Sequence, residues 1–157
     1  MLRVDVRELR RGPVSTEGQL SPGAPALEGL GLTLEGPVAV TGTLQGSPER
    51  RTFSWNGRLQ ARVRGECRRC LADVVTPVDA AVQVVFSPDP DAADDPGVYP
   101  LVEPVTVVDL APAVREELLL AVPAFVLCRD DCAGLCPRCG ADLNAGACRC
   151  ATPPEPA

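Results

Sequence analysis

The 157-residue chain contains no Lys, no His and no Ile, and aromatic residues make up only 3% of it. Each absence excludes something. Without His the usual general base near neutral pH is missing, and a zinc site has to be built from Cys. All 15 positive charges are Arg. That bias resembles a GC-rich coding sequence and is not evidence of selection for guanidinium chemistry. With so few aromatics, a core must be assembled from Val, Leu and Ala, which dominate the 45% hydrophobic fraction. No stretch approaches the ~20 apolar residues that cross a bilayer, and Met1-Leu2-Arg3-Val4-Asp5 has no apolar signal region. The expectation is a cytoplasmic protein without membrane contact. A formal charge of −6 argues against wholesale, non-specific nucleic-acid binding.

What is present is Pro (17) and Gly (14), enough to predict long loops, and short alternating runs. Leu2 to Val6 reads as a strand, Gly12 to Gly36 as a long loop with brief structure around Ala26-Leu27, and Val38, Val40, Gly42 and Leu44 as one face of a strand. Asn56-Gly57, between Thr52-Phe53-Ser54-Trp55 and Arg58 to Arg64, reads as a type I′ hairpin turn. That register puts Leu59, Ala61 and Val63 on one face. The other face carries Arg51, Phe53, Trp55, Arg58, Gln60, Arg62 and Arg64. After a turn at Cys67-Arg68-Arg69-Cys70, Val74 to Phe86 alternates again, with Asp79 and Gln83 outward. Ser87 to Pro100, holding Asp89, Asp91, Asp94 and Asp95, reads as an acidic, flexible loop. Asp109 caps a helix with Leu110, Val114, Leu118 and Val122 as its stripe, stopped by Pro123.

The predicted fold class is α+β: an antiparallel sheet or partial barrel of hairpins, one flanking helix and a C-terminal zinc-binding segment. The expected divisions are a β-rich domain over residues 1–127 ending in helix 109–122, a Cys-rich segment at 128–150 packed on the hairpin, and a disordered tail at 151–157.

The eight cysteines fall into four close pairs, Cys67/Cys70, Cys128/Cys132, Cys136/Cys139 and Cys148/Cys150. A C-x2-C turn directs two thiolates to one point, and Zn2+ asks for four in a tetrahedron, so such turns come in pairs. In a reducing compartment disulfides rarely persist. Two zinc ions per chain follow, each four-thiolate site adding about −2 in charge. Cys136 and Cys139 meet their nearest downstream partners in Cys148 and Cys150, which leaves Cys67 and Cys70 to be completed by Cys128 and Cys132. A swapped scheme joins Cys128/Cys132 to Cys136/Cys139, and the first pair to the last. A redox dithiol at Cys67-Arg68-Arg69-Cys70 is the enzymatic alternative. The thioredoxin pattern places its dithiol at a helix start, however, and this pair lies between strand patterns.

Cys67-Arg68-Arg69-Cys70-Leu71, then Asp109-Leu110, the helix end Glu116 to Pro123, and Cys132-Ala133-Gly134-Leu135-Cys136-Pro137-Arg138-Cys139-Gly140-Ala141-Asp142-Leu143-Asn144 together resemble the YceD family of large ribosomal RNA subunit accumulation proteins. The resemblance runs from about Asn56 to Cys150. It implies an antiparallel β-rich domain with a flanking helix, a role in accumulation of large-subunit ribosomal RNA, and no catalytic residues. The family's members differ in how many C-terminal cysteines they keep, while the hairpin C-x2-C is more regular. That supports a core site at Cys67, Cys70, Cys128 and Cys132 and a second site at Cys136, Cys139, Cys148 and Cys150.

The function expected is therefore non-catalytic, with no small-molecule substrate. Two partners are in view. Ribosomal RNA or a pre-ribosomal particle would meet Arg51, Phe53, Trp55, Arg58, Arg62 and Arg64 on the hairpin face, extended by Arg68 and Arg69. Against this, Phe53 and Trp55 would simply pack under the N-terminal loop while the Arg residues keep a strand solvated. The alternative is an acidic adaptor that holds a basic ribosomal protein through Asp89, Asp91, Asp94 and Asp95.

Overall fold

Alternation of apolar and polar residues builds the three central strands of this chain, two of which run for 15 residues. The structure is a computed structural model that describes residues 2–47, 49 and 51–150. The main strands are β1 (Arg3–Asp5), β2 (Val14–Leu20), β3 (Thr33–Leu34), β4 (Val38–Ser47), β5 (Thr52–Glu66), β6 (Asp73–Ser87), β7 (Val98–Pro100) and β8 (Val107–Asp109). One short helix, α1 (Val6–Leu9), follows β1, and one longer helix, α2 (Ala111–Ala121), follows β8. Six strands form a sheet in the order β2-β4-β5-β6-β7 with β3 against β5, while β1 and β8 pair separately. The fold is α+β, mostly sheet with one main helix. Among the described residues no pairing joins β2 to β7, so no barrel closes. Nor is the main sheet wholly antiparallel, because β7 runs parallel to β6.

The chain divides into two compact units, Met1–Val63 with Pro77–Val122, and Arg64–Thr76 with Pro123–Ala157. The first has an apolar core of its own. Val38, Val40 and Leu44 of β4, Leu59 of β5, Val82 and Phe86 of β6, and Val108 are almost wholly buried. Helix α2 contributes Ala113, Val114 and Leu118 to that core, with Leu110 just before it. Asp109 holds the helix start by accepting from the Ala111 N–H at 2.9 Å, Pro112 sits where a missing N–H costs nothing, and Pro123 follows the end.

Two stretches that read as loops contain strand. Within Gly12 to Gly36, β2 pairs with β4 from Val14↔Leu44 to Leu20↔Val38. Its sequence, Val-Ser-Thr-Glu-Gly-Gln-Leu, is too polar to signal a strand, because only Thr16 on it is fully buried. The Ala26-Leu27 structure is a short 3-10 turn. In Ser87 to Pro100, β7 and a 3-10 turn at Pro90–Ala92 replace part of the expected flexible loop. Residues 151–157, expected as a tail, lie outside the described residues.

The larger correction concerns Asn56-Gly57, which is not a turn. β5 runs straight through it, and β4 pairs along it from Ala39↔Gln60 to Ser47↔Thr52 with Gly42 directly opposite Gly57. Phe53, Trp55, Leu59, Ala61 and Val63 are all buried on a single face, while Arg58, Gln60, Arg62 and Arg64 are exposed on the other. The reason is Trp55. Its indole lies over the strand, and its Nε1–H donates to the Thr16 hydroxyl at 2.9 Å. A Cβ on Gly57 would come within 2.2 Å of the Trp55 ring, and one on Gly42 within 2.7 Å of Nε1. Gly57 is therefore required by close approach of the ring, and Gly42 by close approach of both the ring nitrogen and the facing backbone, whose Asn56 carbonyl oxygen would lie 2.6 Å from a Cβ.

Gly42→Ala and Gly57→Ala should each destabilise the first unit by about 1–3 kcal/mol or more through overpacking. Urea unfolding followed by the emission of Trp55, the chain's one Trp, checks this. An unchanged midpoint and unchanged emission in Gly42→Ala would contradict the packing.

Candidate metal centres

Each cluster is built on a knuckle, and the two knuckles have the same hydrogen bonds. In the first, the Cys67 N–H donates to the Ala72 carbonyl (2.8 Å), and the Leu71 N–H donates to the Cys67 carbonyl (2.9 Å). In the second, the Cys136 N–H donates to the Ala141 carbonyl (2.8 Å), and the Gly140 N–H to the Cys136 carbonyl (2.8 Å). Such a reversal needs a left-handed residue just after the second Cys. Gly140 supplies it with φ 73°, whereas Leu71 supplies it with φ 62°.

The structure brings together Cys67, Cys70, Cys128 and Cys132, and separately Cys136, Cys139, Cys148 and Cys150, each set with its sulfurs within 4.8 Å of one another. The pairing is the first of the two schemes, not the swapped one. Sulfur–sulfur separations are 3.7 Å for Cys67–Cys132 and 3.6 Å for Cys70–Cys128. In the second set they are 3.8 Å for Cys136–Cys150 and 3.4 Å for Cys136–Cys148. A tetrahedron of Zn–S bonds of ~2.3 Å has sulfurs ~3.8 Å apart. A disulfide would need ~2.0 Å, and all eight cysteines are free. Each group could hold one metal ion as a closed, all-thiolate site, with no position left for a reacting water. Around the first set, Val74, Leu127 and Leu135 are the partly buried apolar residues that pack.

Protonation is divided unevenly among the thiols. Burial pushes the Cys67 thiol up, but hydrogen bonds from the backbone at Cys70, Cys128 and Arg69 outweigh it and bring the group down to about 6. Backbone bonds from Cys139 and Arg138 bring Cys136 down to about 6 as well. Cys128 is pushed up to about 12, first by its hydrogen bond with Cys70 and then by burial. Cys150 is likewise pushed up to about 12, by Cys139 and by burial.

The Arg and aromatic candidates do not form one surface. Phe53 and Trp55 are in the core, 8% and 0% exposed, so neither can stack on a base. Arg51 is a turn residue paired with Glu103. Arg58 pairs with Asp79 (Nη2–Oδ2 2.7 Å), and Arg64 lies 3.8 Å from Asp73. Arg62 is exposed on the same face. In the second unit, Arg69 donates to the Cys132 carbonyl at 2.9 Å and so braces the first cluster. The Arg68 guanidinium sits 4.7 Å from the ring centre of Phe125, itself 73% exposed. Phe125 and Asn144 are the residues the sequence did not single out. Asn144 closes the Cys132–Asn144 motif, and its side chain donates to Cys132 Sγ at 3.3 Å.

Metal uptake should be pH-dependent. Near neutral pH, Cys67 and Cys136 are largely thiolate, whereas Cys128 and Cys150 keep protons that a metal must expel. Apparent affinity should therefore fall about tenfold or more per unit decrease in pH, more steeply once pH drops below about 6 and Cys67 and Cys136 also protonate. Chelator competition at several pH values checks it, and pH-independent binding would contradict it. Leu71→Gly should tighten binding at the first cluster several-fold. It relieves about 1 kcal/mol of left-handed strain at a side chain that is 60% exposed. Weaker binding in that variant would contradict the knuckle geometry.

Uncharacterized proteins from two strains of Mycobacterium tuberculosis and from Mycobacterium bovis are 35% identical over 89 residues, covering 55% of this chain and 43% of theirs. The matched stretch thus spans less than half the length of those relatives. No solved structure is significantly similar. The family model of the large ribosomal RNA subunit accumulation protein YceD matches residues 55–157, a span that includes all eight cysteines. This chain belongs to the YceD family.

Proposed function

We propose that the chain is a non-catalytic, zinc-held factor of large ribosomal subunit biogenesis that supports accumulation of large-subunit ribosomal RNA in the cytoplasm. One observation carries this: the family match over residues 55–157 contains both four-cysteine groups, whose sulfurs have the spacing of a tetrahedral thiolate site. Zinc is the ion that a closed four-thiolate tetrahedron suits, and in a closed site it supplies folding free energy. With every Cys committed as a ligand and no His in the chain, neither a free thiol nor an imidazole base remains. No helix among the described residues is long and apolar enough to cross a membrane.

The RNA contact we favour is electrostatic, through Arg58, Arg62 and Arg64 on the outer face of β5. Two of these are ion-paired, but exposed pairs are worth only about 0–1 kcal/mol, so a phosphate can take the place of Asp79 or Asp73 at little cost. The stacking part of the earlier expectation falls with Phe53 and Trp55. The second reading, an adaptor for a basic ribosomal protein, is favoured by Asp89, Asp91, Asp94 and Asp95, all four exposed.

Capture from lysate with and without nuclease separates the two partners. Under the RNA reading the association disappears with nuclease, and each of Arg58→Glu, Arg62→Glu and Arg64→Glu weakens it. Each lost phosphate contact should also flatten the salt dependence by about 0.7–0.9 in slope. If the triple Arg reversal folds and still restores large-subunit RNA in a deletion strain, the Arg face is refuted. An association that survives nuclease and is lost on reversing the four Asp residues would establish the adaptor instead.

A further inference from the structure

The two clusters are joined by more than the chain between Cys132 and Cys136. Asn144 belongs to the loop that runs from Cys139 to Cys148, and so to the loop closed by the second cluster. Its side chain, however, serves the first. The Nδ2 group donates to Cys132 Sγ at 3.3 Å and to Asp142 Oδ1 at 2.8 Å. The Oδ1 accepts from the Ala133 N–H at 2.8 Å and from Arg129 Nη2 at 2.7 Å, both in or beside the Cys128–Cys132 segment. Both donors and both acceptor positions of the amide are therefore used.

That saturation fixes the orientation of the amide. Turned over, Asn144 would aim its oxygen at a thiolate sulfur and a carboxylate, and its N–H groups at two donors. Only one arrangement satisfies the network. The backbone holds the loop in the same place. The Asn144 N–H donates to Asp142 Oδ1 at 2.9 Å, and the Leu143 N–H donates to the Gly134 carbonyl at 2.9 Å. The Leu135 N–H in turn donates to the Arg69 carbonyl of the first knuckle at 3.1 Å. Gly134, between the clusters, has φ 77°, and a Cβ there would stand 3.1 Å from that same carbonyl.

We propose that Asn144 is a positioning residue that couples the two metal sites, so that closing the 139–148 loop on the second metal delivers an N–H to the Cys132 sulfur and tightens the first site. The inference rests on the metal reading given above. An outer hydrogen bond of this kind commonly alters metal affinity by about 10–100-fold. Coupling between binding sites is reciprocal, so an occupied first site, with Ala133 and Arg129 in place, should equally favour loading of the second.

The test is zinc binding to the full chain, measured by chelator competition and by native mass spectrometry, with Trp55 emission confirming that the first unit stays folded. In the wild type, one-zinc species should be scarce. Cys148→Ser with Cys150→Ser, which empties the second site, should weaken the first about tenfold or more. Asn144→Ala should do the same, and the combined variant should lose little further, because all remove one interaction. Asn144→Asp is the decisive variant. It keeps an oxygen for Ala133 and Arg129 but faces Cys132 with a carboxylate, so it should bind more weakly than Asn144→Ala. If Asn144→Asp binds as the wild type does, or if the first site is indifferent to the double Ser variant, the coupling is overturned while the metal reading stands. A wild-type chain that takes up no zinc at either site would overturn both.

Discussion

Everything in the second unit depends on four sulfurs meeting at one point. Arg64–Thr76 and Pro123–Ala157 are distant in sequence. Among the described residues they share a small apolar cluster in which Cys67, Cys70 and Cys132 are themselves the buried members, with only Val74, Leu127 and Leu135 packed against them. Such a cluster is too small to serve as a hydrophobic core for these two segments. On the reading proposed above, a metal ion shared by the two segments adds its binding free energy to folding. The knuckles make this efficient. They point N–H groups at Cys67 and Cys136, so one thiolate in each set is stabilised before any metal arrives.

The first unit is held by different physics. Its core is continuous, from Val38 and Leu59 in the sheet to Leu118 on α2, and its one unusual feature is an indole lying across paired glycines. Thr16, Gly42 and Gly57 lie in one cross-strand row, and Trp55 covers the glycines to reach the Thr16 hydroxyl. The hydrogen bond satisfies the buried indole N–H at a place where the chain offers few other polar side chains. That leaves the opposite face of β5 to Arg58, Gln60, Arg62 and Arg64, as any straight alternating strand must.

The grouping of the eight cysteines into two sets of four was legible in the sequence, because it is carried by residue type and short spacing. Eight Cys without a His allow few arrangements, and the nearest-partner pairing of the four clusters matches the structure. The helix was legible from its stripe and its bounding proline, although its N-cap position is Leu110 and Asp109 acts from one residue earlier. The strand through Asn56-Gly57 was not, for a local reason. That dipeptide is the strongest short hairpin signal, and it competed with an alternation of Phe53, Trp55, Leu59, Ala61 and Val63 that stays in phase only if no turn intervenes. The longer-range pattern prevailed because burying Trp55 stabilises more than a turn propensity does. β2 was illegible for the opposite reason: an edge strand with little burial carries little pattern. Asn144 lay inside a recognisable motif, yet its role depends on a fold that brings residue 144 back to residue 132.

In the reading proposed above, metal and not apolar burial orders the second unit, while the first unit stands on its own core. Amide hydrogen exchange on the full chain, before and after zinc is stripped by a chelator under reducing conditions, tests it most directly, with metal content measured alongside. The chain should carry two zinc ions, and their removal should cause a loss of protection confined to residues 64–76 and 123–150, with β4 and α2 still protected. Protection of residues 64–76 and 123–150 that is unchanged in the metal-free chain would contradict it.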